Sequence, residues 1–396
     1  MIPTQATPIV TKSSAMHFGA RINRRKFLDV LFGAAAVGAG SSPIDGAQSE
    51  VRHLLQLSGY PLDLETPLAA LTSYLTPNDL FFVRTHWAPA RVDPATWSLT
   101  VDGEVSRPLK LTLADLNLLP RADVTCVLQC SGNGRNWFDP PVPGVQWRYG
   151  AVGNARWSGV RVRDVLSRAG LKNVARHLHT FGGNAPPARV PPFNRSLELD
   201  KALADAIIAY EMNGDPLPHE HGGPARLVVP GWAGDHWMKW LSRLSVSREP
   251  QVGFYMETAY KYPIRPGAPG VAVPTDDMRP ITEMFVKSNI TTAPSRMRVG
   301  ERTSLRGFAF SGAPDIAHVE LSDDDGRTWR RATLNDQHDP YAWRLWSYEW
   351  TSTVGGMRRI TVRAQDNRGR EQPKLPDWNP SGYLYNGWHT VMVEVA

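Results

Sequence analysis

The fold is organised around the sequence VTCVLQCSGNGR, residues 124–135. Its apolar first half predicts a buried β-strand, and Cys130 falls where that strand ends. The glycine-rich second half predicts a tight turn that brings Arg135 back toward the cysteine. A cation beside a cysteine lowers the pKa of the thiol, and the thiolate is the form that binds a soft metal. The alternative is that Cys130 is a small buried apolar residue, as lone cysteines usually are.

The composition narrows the class of protein and the kind of partner. With 42% hydrophobic and 21% charged residues among 396, the chain has the composition of a globular protein, and its length predicts two or three domains. The formal net charge is only +6 and the basic residues form no dense block, so no nucleic-acid partner is predicted. Two cysteines give no disulfide framework, and without a C-x-x-C-H motif no haem is predicted in this chain.

Residues 1–47 are predicted to be an export signal. The motif RRKFL at 24–28 precedes the weakly apolar run 30–40, which is too short to span a bilayer as a helix, so no membrane span is predicted. Paired arginines before such a run are typical of twin-arginine signals, which carry folded, cofactor-loaded proteins to the periplasm. Ala47 is a candidate last residue of the signal and Met16 an alternative start. A basic amphipathic helix is the alternative interpretation.

The following residues predict a domain that mixes strands and helices. The run 80–87 is typical of a strand with polar side chains toward its far end. Residues 159–170 predict a short helix stopped by a glycine, and the apolar spacing of residues 197–208 predicts a second helix. Five prolines between Pro263 and Pro280 then predict an extended connection to another domain.

Beyond the prolines, short runs alternate apolar and polar residues with the period of a β-strand. Residues 318–322 and 328–332 flank an Asp-Gly turn, and residues 358–364 and 390–395 alternate clearly. Several such strands predict an immunoglobulin-like β-sandwich. The predicted fold class is therefore α+β, with a signal at 1–47, a mixed α/β domain at 48–275 and an immunoglobulin-like β-sandwich at 276–396.

Six stretches, in the same order along the chain, resemble the sulfite oxidase family. They are FVRTH at 82–86, LQCSGNGR at 128–135, GAVGNARWSGV at 150–160, AYEMNG at 209–214, HGGPARLVVPG at 221–231 and the tail at 378–389. The resemblance covers about residues 70–396. It implies a molybdopterin-binding domain followed by a sandwich that mediates dimerisation. The implied activity is oxidation of a sulfur compound by oxo transfer from molybdenum.

The resemblance also implies roles for residues around the metal. Cys130 falls on the position of the thiolate that ligates molybdenum. Arg84 and Arg135 fall on the anion-binding arginines, Tyr260 on the active-site tyrosine and Trp147 on the aromatic residue beside the metal pocket. Guanidinium groups suit an oxyanion substrate because they donate to two oxygens at once.

The cofactor positions implied by the resemblance are mostly cations and imidazoles. Besides Cys130, they are His86, His221, Arg226 and Lys239. The pterin carries a phosphate, and these side chains supply the charged and N–H donors that bind such a group.

The tail motif departs from the animal and plant enzymes of this family. Those enzymes carry an arginine where this chain has Ser381. One cation of the sulfite pocket is therefore missing, unless Lys261 beside Tyr260 replaces it. A less cationic pocket suits a bulkier or less charged sulfur substrate.

In length, export signal and tail the chain resembles bacterial sulfane dehydrogenases of the sulfur-oxidising system. Those proteins oxidise a sulfane sulfur carried on a partner protein and pass electrons to a c-type cytochrome subunit. Sulfite and a carrier-bound sulfane sulfur therefore both stay open as substrates. A homodimer or a complex with the cytochrome subunit is expected. The alternatives are a non-sulfur substrate or a non-catalytic interaction module.

Overall fold

The computed structural model describes residues 53–87, 91–183 and 186–396. The predicted export signal at 1–47 lies outside these residues. The described part is mostly β, with few helices, and it confirms the predicted α+β class, in which a domain that mixes strands and helices is followed by a β-sandwich. No helix in the described ranges is long and apolar enough to cross a membrane.

The first part of the fold contains short strands and short helices. In chain order its strands are β1 (Leu55–Gly59), β2 (Leu62–Glu65), β3 (Val83–Arg84), β4 (Leu99–Gly103), β5 (Leu109–Leu111), β6 (Arg121–Gln129), β7 (Val152–Arg161), β8 (His177–Gly182), β9 (Asn194–Glu198), β10 (Ile207–Met212), β11 (Asp215–Pro216), β12 (Arg226–Val228), β13 (Leu241–Ser247), β14 (Lys261–Pro263) and β15 (Met278–Pro280). The α-helices are α1 (Leu113–Asn117), α2 (Val162–Ala169), α3 (Leu199–Ala204) and α4 (Phe254–Glu257). Single 3-10 turns cover Leu68–Ala70, Asn78–Leu80, Arg135–Trp137, His219–His221, Gly234–His236 and Thr275–Asp277.

Two five-stranded sheets make up most of this first part. One has the order β11–β10–β7–β6, with β12 also paired to β10, and the other has the order β5–β4–β13–β8–β9. Strands β4 and β13 run parallel, whereas the other pairs in these two sheets are antiparallel. A small sheet, β1–β2–β3, lies before them in the chain. Strand β6 ends one residue before Cys130, as the sequence predicts.

The sequence explains where α1 and α2 begin and end. Thr112 and Asp115 cap α1 reciprocally, each side chain accepting a backbone N–H of the other residue. Helix α2 buries one face, which includes Val165 and Leu166. It ends at Gly170, whose φ of 71° favours glycine.

Two local predictions are wrong. Residues 197–208 do not form one helix, because Leu197 pairs in β9 and the apolar run from Ile207 forms the buried strand β10, which leaves only α3 between them. The predicted strand at 80–87 is reduced to the two residues of β3. The proline-rich connection also contains regular structure, since β14 and β15 at its two ends pair with each other.

The second part is the predicted β-sandwich. Its strands are β16 (Lys287–Thr292), β17 (Arg296–Met297), β18 (Arg302–Phe310), β19 (Ile316–Ser322), β20 (Arg330–Arg331), β21 (Thr333–Leu334), β22 (Arg344–Thr351), β23 (Gly356–Asp366) and β24 (His389–Val395). They form the sheets β16–β18–β22–β21 and β17–β24–β23–β19–β20. The Asp-Gly turn is present, with positive φ at Asp325 and Gly326 as such hairpins require.

An apolar layer joins the two parts. Trp343 is fully buried and packs in one cluster with Phe308 of the sandwich and with Val127 and Val152 of the sheet that precedes Cys130. The indole N–H of Trp343 donates to the carbonyl of Tyr74 at 2.8 Å. The sandwich therefore supports the strand that positions Cys130.

A buried lysine lies in the same boundary. Lys287 is 1% exposed, and its Nζ lies 5.3 Å and 5.6 Å from the ring centroids of Tyr149 and Tyr385. Glu65 and His389 are the other titratable groups whose charge interacts with it. Burial lowers the pKa of Lys287 from its ordinary 10.5 to about 7, although Glu65 opposes that shift.

Candidate active site

Cys130 lies at the carboxyl end of β6, where the chain turns sharply. Its backbone N–H donates to the carbonyl of Ala151 at 2.9 Å, and its carbonyl accepts from Asn133 at 2.9 Å. Gly134 has a φ of 94°, and a Cβ at this position would come within 2.7 Å of Tyr385. The turn therefore requires glycine, and it presents the half-buried sulfur at a rigid strand end.

A buried ion pair fixes the residue after the cysteine. The Ser131 hydroxyl donates to Asp235 at 2.6 Å, and Arg195 donates to the other oxygen of Asp235 at 2.7 Å. The side chains of Arg195 and Asp235 are fully buried. The carbonyl of Ser131 also accepts from Leu384 at 2.8 Å, so the sandwich part contributes to the same anchor.

Cys130 opens into a cleft with about 840 Å³ of empty space, part of which is open to solvent. Seven of the nine predicted site residues line it: Arg84, His86, Cys130, His221, Arg226, Lys239 and Tyr260. The structure thus brings together side chains from five separate stretches of the chain.

Arg84 and His86 approach the cleft from β3 and the residues after it. Nη1 of Arg84 donates to Asp63 at 3.1 Å and also to the carbonyl of Thr85. His86 Nε2 lies 2.9 Å from the hydroxyl of Tyr260. Burial lowers the pKa of His86 well below its ordinary value, and the nearby Arg84 adds to that shift, so the imidazole is neutral.

Tyr260 forms part of an aromatic wall of the cleft. Its φ is 54°, an uncommon value for a residue other than glycine, and its ring stacks on Tyr383 with centroids 5.4 Å apart. Arg195 lies 5.5 Å from the ring centroid of Tyr260. Burial raises the pKa of Tyr260 well above its ordinary value, although Arg84 opposes the shift. The hydroxyl is therefore protonated and able to donate a hydrogen bond.

Arg226, His221 and Lys239 also line the cleft. Arg226 donates to the carbonyls of His221 at 2.8 Å and Trp237 at 3.2 Å, while its buried Nε has no hydrogen-bond partner among the described residues. Burial lowers the pKa of Arg226 to about 9 and that of His221 to about 4. Lys239 donates to the carbonyl of Glu220 at 2.8 Å, and burial, followed by the charge of Arg226, lowers its pKa.

Two predicted site residues do not line the cleft. The guanidinium of Arg135 donates to the main-chain carbonyls of Ser381 at 3.1 Å and Val145 at 3.0 Å, which turns it toward the tail segment. Trp147 is fully buried beneath the cleft and contacts Phe82, which does line it.

Ser381, which stands in place of the missing arginine, and Lys261, its candidate replacement, also do not line the cleft. Ser381 contributes its carbonyl to Arg135 and not its side chain to the cleft. Lys261 is half-buried, and its Nζ lies 3.4 Å from the carbonyl of Thr275. The structure therefore gives no support to the expectation that Lys261 replaces the arginine.

The thiol of Cys130 experiences opposing influences. Burial raises its pKa, whereas the Arg84 guanidinium, the N–H of Gly132 and the charge of Arg135 act in the opposite direction. The neighbouring cations lower this pKa, as predicted, but burial is the larger effect, so the pKa lies above its ordinary value. A bound metal ion deprotonates a thiol that coordinates it, so the thiolate form is favoured by ligation.

The donor set of the cleft fits a molybdopterin. Arg84, Arg226 and Lys239 line it together with two carboxyl groups, Glu220 and Asp235, of which Asp235 is already paired with Arg195. The unpartnered Nε of Arg226 leaves a buried donor for an anion such as a phosphate. In the described residues no group of three or more His, Cys, Asp or Glu side chains could hold a metal ion, so a metal here depends on Cys130 and on a ligand that brings its own donors.

Comparison with known domain families defines the class of protein. Residues 85–255 match the oxidoreductase molybdopterin binding domain, and residues 278–396 match the Mo-co oxidoreductase dimerisation domain. Taken with the cleft and its single thiol, these matches define a molybdopterin-dependent oxidoreductase.

Similarity to known proteins then identifies the family. Human mitochondrial sulfite oxidase is 37% identical over 370 residues, which cover 88% of this chain and 68% of that protein. Sulfite oxidase of Arabidopsis thaliana is 32% identical over 386 residues, which cover 89% of this chain and 98% of that protein. The chain belongs to the sulfite oxidase family. The crystal structure of the sulfane dehydrogenase SoxCD from Paracoccus pantotrophus is similar over 92% of this chain and 94% of that one, with a TM-score of 0.77 and 27% identity.

Sequence reasoning missed three charged residues of the site. Asp63, Arg195 and Asp235 are buried beside the cleft or in its wall, and each makes an ion pair there. Strand β2 reads LDLE, and it buries the acidic residues while its leucines are half-buried. Hydrophobic periodicity therefore points to the wrong face of this strand, and no local signal identifies Asp63.

Proposed function

We propose that this protein is an exported molybdenum oxidoreductase that oxidises a reduced sulfur compound and passes the electrons to a c-type cytochrome. The substrate is sulfite or a sulfane sulfur bound to a carrier protein. The observation that carries the proposal is the meeting of Cys130, Arg84 and Tyr260 in one cleft of a sulfite oxidase family fold. The relatives named sulfite oxidase and the similar structure named sulfane dehydrogenase support a sulfur substrate.

The side chains have separate tasks in this reaction. Molybdenum, when bound, supplies the oxo group and accepts two electrons. Cys130 would hold the metal through its sulfur, and His221, Arg226 and Lys239, which line the same cleft, would hold the anionic cofactor. For sulfite the net change is the gain of one oxygen derived from water, with release of two protons and two electrons.

The substrate end of the cleft is formed by Arg84 and Tyr260. Arg84 keeps Nη2 and Nε available for substrate oxygens, because both of its hydrogen bonds to described residues use Nη1. The Tyr260 hydroxyl, held 2.9 Å from neutral His86, donates to an oxygen of the substrate or positions a water molecule. Charged donors of this kind contribute about 1.5–3 kcal/mol each to binding.

The tail supports a substrate other than free sulfite. Ser381 occupies the place of an arginine, and Arg135 donates to main-chain carbonyls of Ser381 and Val145. Near neutral pH much of the sulfite in solution is the dianion, and a pocket with fewer free cations binds a dianion less tightly. The structural similarity to a sulfane dehydrogenase supports the same choice.

Location and assembly belong to the same proposal. The motif RRKFL at 24–28 supports export to the periplasm by the twin-arginine route. The match to a dimerisation domain at residues 278–396 supports a homodimer, and a complex with a cytochrome subunit is the second possibility.

Metal and pterin analysis followed by turnover measurements tests the proposal. Purified protein should contain molybdenum and pterin in equal amounts. It should reduce a c-type cytochrome when supplied with sulfite or with a protein that carries a persulfide on a cysteine. The ratio of the two rates identifies the preferred substrate. A loaded protein that reduces cytochrome with neither sulfur compound would contradict the proposal.

A further inference from the structure

A buried carboxylate lies directly behind the arginine of the cleft. Asp63 and Arg84 are register partners on the antiparallel strands β2 and β3. Oδ1 of Asp63 lies 3.1 Å from Nη1 of Arg84, and their side chains are 1% and 24% exposed. Oδ2 of Asp63 is buried and has no hydrogen-bond partner among the described residues. Arg84 is therefore the counter-ion of a carboxylate that water does not reach.

This pair fixes the orientation of Arg84. Nη1 is held by Asp63 and by the carbonyl of Thr85, while the same side chain lines the cleft. The two other nitrogens make no hydrogen bond to the described residues and belong to a side chain that lines the cleft. A guanidinium held at one nitrogen loses little further freedom when it binds a ligand with the others.

The pair also changes the charge at this end of the cleft. Arg84, Arg135 and Asp63 are the charged neighbours of the Cys130 sulfur. Arg135 donates to carbonyl groups of the tail and does not line the cleft. The charge of Arg84 is offset by Asp63 at hydrogen-bond distance. The pair therefore supplies hydrogen-bond donors near the sulfur while Asp63 offsets the charge of Arg84. Lys239 is the other cation of the cleft that interacts with both Arg84 and Asp63, and burial lowers its pKa.

We propose that Asp63 determines substrate specificity by orienting Arg84 and cancelling its charge, so that the site prefers a sulfur substrate of low net charge to a free dianion. The preferred class is a sulfur atom bonded to an organic group, which presents fewer charged oxygens than sulfite. This inference rests on the proposed function, because it names the substrate class of the same cleft.

The substitution Asp63→Asn tests the inference on the cofactor-loaded protein. Asparagine keeps the shape of the side chain and an oxygen acceptor for Arg84 but removes the charge. Equilibrium binding of sulfate and of methanesulfonate is measured by titration calorimetry at low ionic strength. These two tetrahedral sulfur anions differ by one charge, and neither requires turnover. Sulfate affinity is expected to rise tenfold or more, which corresponds to about 1.4 kcal/mol, and methanesulfonate affinity to rise less.

The neighbouring carboxyl group provides a matched control. Glu65 lies on the same face of β2 and is also buried, but its carboxylate accepts from the N–H groups of Arg148 and Gly150 and does not contact Arg84. Glu65→Gln is expected to change both affinities by less than about twofold, because screening weakens the effect of a more distant charge. Asp63→Ser serves if the asparagine variant does not fold.

The outcomes separate this inference from the proposed function. Unchanged or weaker sulfate binding in Asp63→Asn, or equal gains for both anions, would overturn the inference whatever the enzyme turns over. Absence of sulfur oxidation would overturn the proposed function, while the sulfate to methanesulfonate ratio still reports on Asp63. If the enzyme is active, a fall in the sulfite KM with little change in kcat adds to the support.

Discussion

Replacing Asp235 with asparagine is expected to lower the free energy of unfolding by about 3–5 kcal/mol, the range found when one partner of a buried ion pair is removed. Asp235 and Arg195 have side chains that are fully buried, with 2.7 Å between Nη2 and Oδ2. Asparagine can still accept from Ser131, but it leaves the guanidinium of Arg195 without a counter-ion. Nε of Arg195 already has no hydrogen-bond partner among the described residues, and the other acceptors of this guanidinium, the carbonyl of Tyr255 and Nε2 of His236, are not carboxylates.

The pair itself is a poor source of stability. Burial raises the pKa of Asp235 to about 6 and lowers that of Arg195, which shows that burial opposes the charge on each side chain. Replacing both residues by apolar ones of similar size should therefore be near neutral. The double substitution Arg195→Met with Asp235→Leu is expected to recover most of the stability that Asp235→Asn loses.

Thermal unfolding of the cofactor-loaded protein, followed by circular dichroism at pH 7, measures both effects. For a chain of this size the single substitution should lower Tm by roughly 4–7 °C. The double variant should unfold within about 2 °C of the parent, on the same scale. A single variant that unfolds at the parent Tm, or a double variant less stable than the single one, would refute this account of the buried pair.

Three further outcomes are expected. Cys130→Ser should retain pterin but lose most activity, because a hydroxyl is a hard and poorly ionised ligand. Turnover at the parent rate would show that Cys130 is not a metal ligand. The control Cys126→Ala should lose about 1–2 kcal/mol of packing energy and stay active. Arg24→Lys combined with Arg25→Lys should keep the cofactor-loaded precursor in the cytoplasm, which cell fractionation measures, and normal periplasmic yield would exclude the twin-arginine route. The folded-state pKa of Lys287 is about 7, below its ordinary value of 10.5. Between pH 7 and pH 10.5 the folded chain therefore binds fewer protons than the unfolded chain, so the free energy of unfolding rises with pH. Lys287→Met should therefore stabilise the protein most below pH 7 and progressively less toward pH 10.5, as urea unfolding at several pH values would show; a gain that does not change with pH would contradict the low pKa.

The sequence predicted those features that depend on short-range patterns. The strand before Cys130, the glycine stop at Gly170 and the Asp-Gly hairpin of the sandwich each rest on residues that are neighbours in the chain. The helix predicted at 197–208 failed because Ile207, Ile208 and Ala209 are consecutive apolar residues that are all buried in strand β10. Periodicity cannot distinguish such a strand from a buried helix.

Only those site residues that lie in recognisable sequence motifs were predicted. Motifs placed Arg84, Cys130 and Arg226 in the cleft, but they did not indicate that Arg135 would bind main-chain carbonyls instead of facing it. The partners Asp63 and Asp235 lie in other segments, and their roles follow from contacts between residues far apart in the chain. Such contacts become visible only when the sheets are assembled.

The contact between Arg135 and Ser381 joins positions 246 residues apart, and the neighbouring Tyr383 stacks against Tyr260. During synthesis the ribosome must therefore translate the sandwich strands β16 to β23 before these contacts can form. Until then the cysteine turn lacks the hydrogen bond that Leu384 donates to Ser131. A nascent chain that ends before residue 381 therefore holds the Cys130 turn with fewer contacts than the full chain does.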